Sequence, residues 1–124
     1  MSQAIYYLES HDIDQNHINQ NGTAQNANIP SQAVNIPVGD LLNKATLLKS
    51  LANVCDFPRY FSANWDSAWD CLTDSAVTHL TLNLTAVKEI NSKDFDVFKR
   101  IIEDAYRDFG KPQLWVIMPS ADDI

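Results

Sequence analysis

The chain has 124 residues, 45% of them hydrophobic and 20% charged, and it carries a formal net charge of −7 with a pI near 4.6. These values fit one globular domain, residues 1–124, long enough to bury a single core, and the acidity disfavours polyanions, so neither nucleic acid nor an anionic membrane is an expected partner. No apolar run reaches the ~18 residues of a membrane span, and MSQAIYYLESHD lacks the basic and apolar stretches of a signal peptide; the expected location is the cytoplasm.

Taken in chain order, AIYYL at residues 4–8 reads as a short strand. From Gln15 to Asn28, eight of fourteen residues are Asn or Gln; such a stretch has little to bury and is expected to be a loop. Ala33–Val38 predicts a second strand, with Pro37 confining it to an edge or a strand end. Asn43 is a plausible N-cap for a helix in which Leu47, Leu48, Leu51 and Val54 recur at helical spacing, and Pro58 ends that region. Asn64 is the next N-cap, with Asp66 in the first turn, where a negative charge suits the helix dipole. Trp65, Ala68, Trp69 and Leu72 then form one apolar stripe.

In HLTLNLT, residues 79–85, Leu80, Leu82 and Leu84 alternate with polar residues, as in a strand with one buried face. Ser92 is expected to cap a long helix that buries Phe95, Phe98, Ile102, Ala105 and Phe109, and Gly110 to stop it. LWVIM, Leu114–Met118, is apolar throughout and predicts a central strand buried on both faces. Cys55 and Cys71 sit among apolar neighbours and read as reduced, buried thiols; a disulfide between them depends on geometry. The expected fold class is α/β, a small, mostly parallel sheet of three or four strands packed with helices.

Two acid pairs stand out. Asp66 and Asp70 share one face of the short helix, and Asp104 and Asp108 share one face of the long helix. Like charges at i,i+4 cost a few tenths of a kcal/mol per pair. Three readings compete for them: a solvated face; a carboxylate metal or hydrolase site; and an acidic surface that binds a cationic protein through charge-assisted bonds. Against the second, His11, His17 and His79 have no ligand spacing, and a chain with three glycines has no phosphate-cradling loop. No cofactor is expected.

The stretch FPRYFSANWDSAWDCLTD, residues 57–74, resembles the signature of the barstar-like family of ribonuclease inhibitors. Phe57 and Pro58, the aromatic pair Tyr60 and Phe61, the run Asn64, Trp65, Asp66, Ser67, Ala68, then Trp69 and the run Asp70, Cys71, Leu72, Thr73 occupy that signature without a gap. The resemblance extends over residues 33–119, a barstar-like core, and leaves residues 1–32 as an N-terminal extension. It implies a non-enzymatic inhibitor, monomeric when free, that blocks the active site of a basic ribonuclease or related toxin with an acidic helix and its neighbouring loop.

The partner-facing residues it implies are Tyr60, Asn64, Trp65, Asp66, Trp69, Asp70, Thr73 and Asp74, with Asp104 and Asp108 from the long helix. Tyr60 takes the place of the loop tyrosine that packs on the enzyme, and Asp66 and Asp70 the places of the two key aspartates. The alternative is an acidic protein-interaction domain of the same fold with a non-ribonuclease partner. Three positions depart from the pattern. Ser62 replaces a glycine, and a positive φ there would strain a serine. Ser67 replaces an alanine, and Asp74 a small residue at the helix end.

Overall fold

The computed structural model describes residues 3–9 and 29–119; the Asn/Gln-rich segment, His11 and His17 lie outside them. In chain order the elements are β1 (Ile5–Glu9), β2 (Val34–Asn35), β3 (Leu41–Leu42), α1 (Lys44–Val54), α2 (Trp65–Asp74), β4 (His79–Asn83), β5 (Glu89–Ile90), α3 (Ser92–Phe109) and β6 (Gln113–Met118). The main sheet has four strands in the order β1-β6-β4-β2, and every pairing in it is parallel. Parallel neighbours need crossovers, and the helices supply them: α1 and α2 between β2 and β4, α3 between β4 and β6. The fold is α/β with a mostly parallel sheet, as expected.

The core forms where the helices meet one face of the sheet. Leu80 and Leu114 are in register, as are Leu82 and Val116, and all four are fully buried. Leu47 and Leu51 of α1, Ala68 and Leu72 of α2, and Phe98 and Ile102 of α3 join the same cluster. Each fully buried Leu, Ile or Phe contributes about 1.5–3 kcal/mol of hydrophobic stabilisation, so the sheet and all three helices are held by one core.

β6 is central and buried through Leu114, Trp115, Val116 and Ile117, as its unbroken apolar run predicts. β4 departs from expectation. Its alternation predicts one buried face, yet Thr81 is only 8% exposed. The second face carries a register row, Tyr6, Trp115, Thr81 and Asn35. Tyr6 stacks on Trp115 with ring centroids 5.0 Å apart, and the Thr81 hydroxyl donates to Asn35 Oδ1 at 3.2 Å. A polar residue thus satisfies its hydroxyl laterally and remains buried. His79 packs its ring against Trp115.

The predicted 33–38 strand shrinks to two residues plus one more bond, from the Ile36 N–H to the Thr81 carbonyl at 2.8 Å. Pro37 then has no N–H to offer, and its carbonyl accepts from the Ser50 hydroxyl. The two-residue strands β3 and β5 pair in a small separate sheet that hydrophobic periodicity does not reveal. β1, from the segment read as an extension, is the edge strand beside β6, with Ile5 buried in the core.

Asn43 caps α1 in a reciprocal box with Thr46. α1 ends at Cys55, after which Asp56 takes φ 55° and the Phe57 N–H returns to the Ala52 carbonyl at 3.0 Å, a Schellman-type closure. The cap of α3 is Asn91, whose Oδ1 accepts the Asp94 N–H at 3.0 Å; Ser92 is the first helical residue. Gly110 ends α3 at φ 77°. Cys55 and Cys71 are buried and not joined to each other. Burial pushes the Cys55 thiol from an ordinary 9.0 up to about 11.

Candidate functional site

The Asn64 side chain accepts the Ser67 N–H at 2.8 Å and sets the first turn of α2. From that start, helical periodicity turns Ala68 and Leu72 into the core. Asp66 and Asp70 are left exposed on the other side. α2 packs against α3, and α3 is fixed in turn by Phe98 and Ile102. Between the two helices lies an open groove of about 720 Å³. Asn64, Asp66, Ser67, Trp69 and Asp70 line one side, and Ile101, Asp104, Arg107 and Asp108 the other. The two acid pairs, 34 or more residues apart in the chain, therefore face one space.

The two sides differ in charge balance. Arg107 Nη1 donates to Asp104 Oδ1 at 3.1 Å, and Arg107 Nε donates to Asp108 Oδ1 at 3.2 Å. The second carboxylate pair is thus bridged by a cation, and both aspartates hold the Arg107 guanidinium above its ordinary range. A guanidinium has five N–H bonds, and these two contacts leave three of them for water or a partner. Asp66 and Asp70 make no ion pair among the described residues. With four carboxylates and one guanidinium, the groove carries a net charge of −3. The mutual repulsion expected of both pairs is therefore relieved on α3 and left standing on α2.

Trp69 forms an apolar edge to the groove, with its ring set against Phe109 at 5.8 Å in an edge-on contact. Phe109 was expected in the core but is 54% exposed; as the last residue of α3 it packs on Trp69 instead. Trp65 does not line the groove: it is half-buried against the core. Thr73 donates its hydroxyl to the Asp70 carbonyl at 2.8 Å within the helix. Asp74 is exposed in the last turn of α2, where the helix dipole disfavours it.

Tyr60 lies on the turn that precedes α2 and is 71% exposed. It rides on a turn closed by the Phe61 N–H to the Pro58 carbonyl at 2.9 Å, and Phe61 packs on Phe57 with centroids 5.0 Å apart. Ser62 has no positive φ; Asp56 is the non-glycine residue that does among those described. The strain foreseen for a serine in place of glycine is not there. Arg107 and Ile101 were not foreseen as site residues. For Arg107 a signal existed, since Asp104 and Arg107 are at i,i+3, an ion-pair spacing on a helix. Among the described residues no cluster of three His, Cys, Asp or Glu side chains is placed to hold a metal ion, and no helix is long and apolar enough to cross a membrane.

The fold and the groove define a class: a small α/β protein with an acidic, open, solvent-facing groove between two helices, edged by an aromatic ring, with an exposed tyrosine on the turn that leads into α2. Residues 32–118 match the family described as Barstar (barnase inhibitor), and the chain belongs to that family. It is a family of inhibitors. The matched segment contains α1, α2, α3 and every strand except β1. Neither the curated proteins nor the solved structures include a match.

Proposed function

We propose that this protein is a non-enzymatic inhibitor of a basic ribonuclease, acting in the cytoplasm by covering the enzyme's active site with the α2–α3 groove and the Tyr60 turn. The observation that carries this reading is the convergence of two acid pairs from separate helices on one groove, in a chain of the barnase-inhibitor family. A ribonuclease must gather cations to hold RNA phosphates, and carboxylates fixed in a matching pattern take those cations by charge-assisted hydrogen bonds.

Asp70 and Asp66 are the principal anions, because among the described residues no cation is paired with them and has to be displaced by a partner's. Asp104 and Asp108 contribute less, being already bridged by Arg107. The remaining N–H bonds of Arg107 need an acceptor once the interface closes, so the partner presents cations over α2 and a carboxylate or carbonyl oxygen over Arg107. Trp69 and Tyr60 supply apolar contact at the edges, and Asn64, Thr73 and Asp74 form the rim. The test is an inhibition titration of purified barnase, paired with capture of basic ribonucleases from the source cell on the immobilised protein. One-to-one inhibition or capture of an active ribonuclease is expected; neither appearing would overturn the reading.

A further inference from the structure

Two departures from the family pattern, Ser62 and Ser67, are bonded to each other. The Ser62 N–H donates to Ser67 Oγ at 3.0 Å. The Ser67 N–H in turn donates to Asn64 Oδ1 at 2.8 Å, and the Asn64 N–H closes back on the Ser62 carbonyl at 2.6 Å. The Ser67 side chain also meets buried Cys71 one turn further along α2. One hydroxyl therefore joins the loop to the helix: its oxygen holds the loop backbone from the groove side of α2.

Immediately before Ser62 comes the turn that carries Tyr60, closed by Phe61 and Pro58. The turn is braced on its far side by Phe57. On its near side, the Ser62–Ser67 bond fixes how far the turn stands from Asp66 and Asp70. We propose that Ser67 is a positioning residue, whose hydroxyl latches the Tyr60 turn to α2 so that tyrosine and aspartates form one preorganised surface in the free protein. The role of that surface in binding rests on the inhibitor reading above; the latch itself does not.

The physical consequence is mostly entropic. The Ser62 N–H is exposed, so water replaces the lost acceptor and the fold is retained. What is lost is the ordering of the loop before the partner arrives, a cost that then falls on binding. An alanine at 67 removes the acceptor, whereas a threonine keeps it.

The experiment is amide hydrogen exchange of the full chain, wild type against Ser67→Ala and Ser67→Thr, read at Ser62 and across residues 59–63. Ser67→Ala is expected to speed exchange at Ser62 by about tenfold with an unchanged melting temperature, and Ser67→Thr to restore slow exchange. Equal exchange in all three proteins overturns the latch. The measurement is made on the free protein, so it decides the latch whichever enzyme is the partner. With barnase as probe, Ser67→Ala is expected to weaken inhibition about three- to tenfold, and to cause no further loss in a Tyr60→Ala background. A loss of equal size with and without Tyr60 would show that Ser67 does not act through the turn, and would overturn the positioning role.

Discussion

The two walls of the groove carry the same sequence pattern and different electrostatics. On α2, Asp66 and Asp70 sit one turn apart with no ion pair among the described residues. On α3, Asp104 and Asp108 sit one turn apart with Arg107 bonded to both. Identical i,i+4 spacing therefore yields a bare anionic wall and a partly neutralised one. A bare pair stores repulsion in the free protein that an incoming cation relieves. A bridged pair has already satisfied much of its demand, and gains less from the same cation. Carboxylate spacing identifies a shared face; the neighbouring cation decides what that face is worth to a partner.

Removing the bare wall is the strongest way to break the comparison. Asp70→Ala is expected to weaken inhibition by about 30-fold or more, the size of an interface hot spot, while melting no lower than wild type because it relieves repulsion with Asp66. Asp66→Ala should follow with a smaller loss. Inhibition titrations and thermal melts decide it: a sharply lowered melting temperature with inhibition intact would make Asp70 structural and sink the active-site reading.

Stripping the bridge makes the walls alike. Arg107→Gln leaves Asp104 and Asp108 unneutralised, so association with a basic ribonuclease should become about two- to fivefold faster at low ionic strength, with a steeper fall as salt is added. In that background Asp104→Ala and Asp108→Ala should cost more inhibition than in the wild type. Stopped-flow association across a salt series would show it, and identical salt slopes for wild type and variant would mean that the ion pair does not distinguish the walls.

A third aspartate serves as the internal control, being acidic and on α3 but outside the groove. Asp94 Oδ2 accepts the Lys44 N–H at 2.8 Å and so ties the start of α3 to the start of α1. Asp94→Ala should therefore lose about 0.5–1.5 kcal/mol of stability and no inhibition, the reverse of Asp70→Ala. Urea unfolding beside the inhibition titration separates the two behaviours.

The last effect is silent at neutral pH and concerns Cys55, at the C-cap of α1. Cys55 has its thiol raised to about 11 by burial, against 9.0 in the unfolded chain. Below pH 9 both states hold the proton and stability is unaffected. As pH rises from 9 through 11 the unfolded thiol ionises first, so stability contributed by keeping the native thiol neutral is lost. Cys55→Ala should flatten that part of the stability curve relative to wild type, and parallel curves between pH 9 and 11 would contradict the burial argument. Native Cys55 should also resist alkylation near neutral pH, since the thiolate is the reactive form.

The helices were legible because their signals are local. Asn43 and Asn64 cap where their spacing to the apolar residues predicts, and Gly110 ends α3 as predicted. The one-residue error at Asn91 and Ser92 arose because both are good caps, and the backbone chose the one whose side chain reaches the Asp94 N–H. β4 misled because alternation reports side-chain polarity. Thr81 is polar yet buried, its hydroxyl met by Asn35 from another strand. β3 and β5 are two residues each and leave no period to read.

Composition, periodicity and caps by themselves determined that this chain is acidic α/β, where its helices begin to within a residue, and which acids share a face of each helix. Those properties depend on residues within one or two turns of each other. Only the tertiary structure decided that the two acid faces meet across one groove, and that Phe109 leaves the core to pack on Trp69. It likewise joined Ser62 to Ser67. The meeting of the faces follows from the relative rotation of α2 and α3. Burial of Ala68 and Leu72 on one helix and Ile101 and Ile102 on the other, in the same core, sets that rotation, and no local pattern encodes such long-range packing.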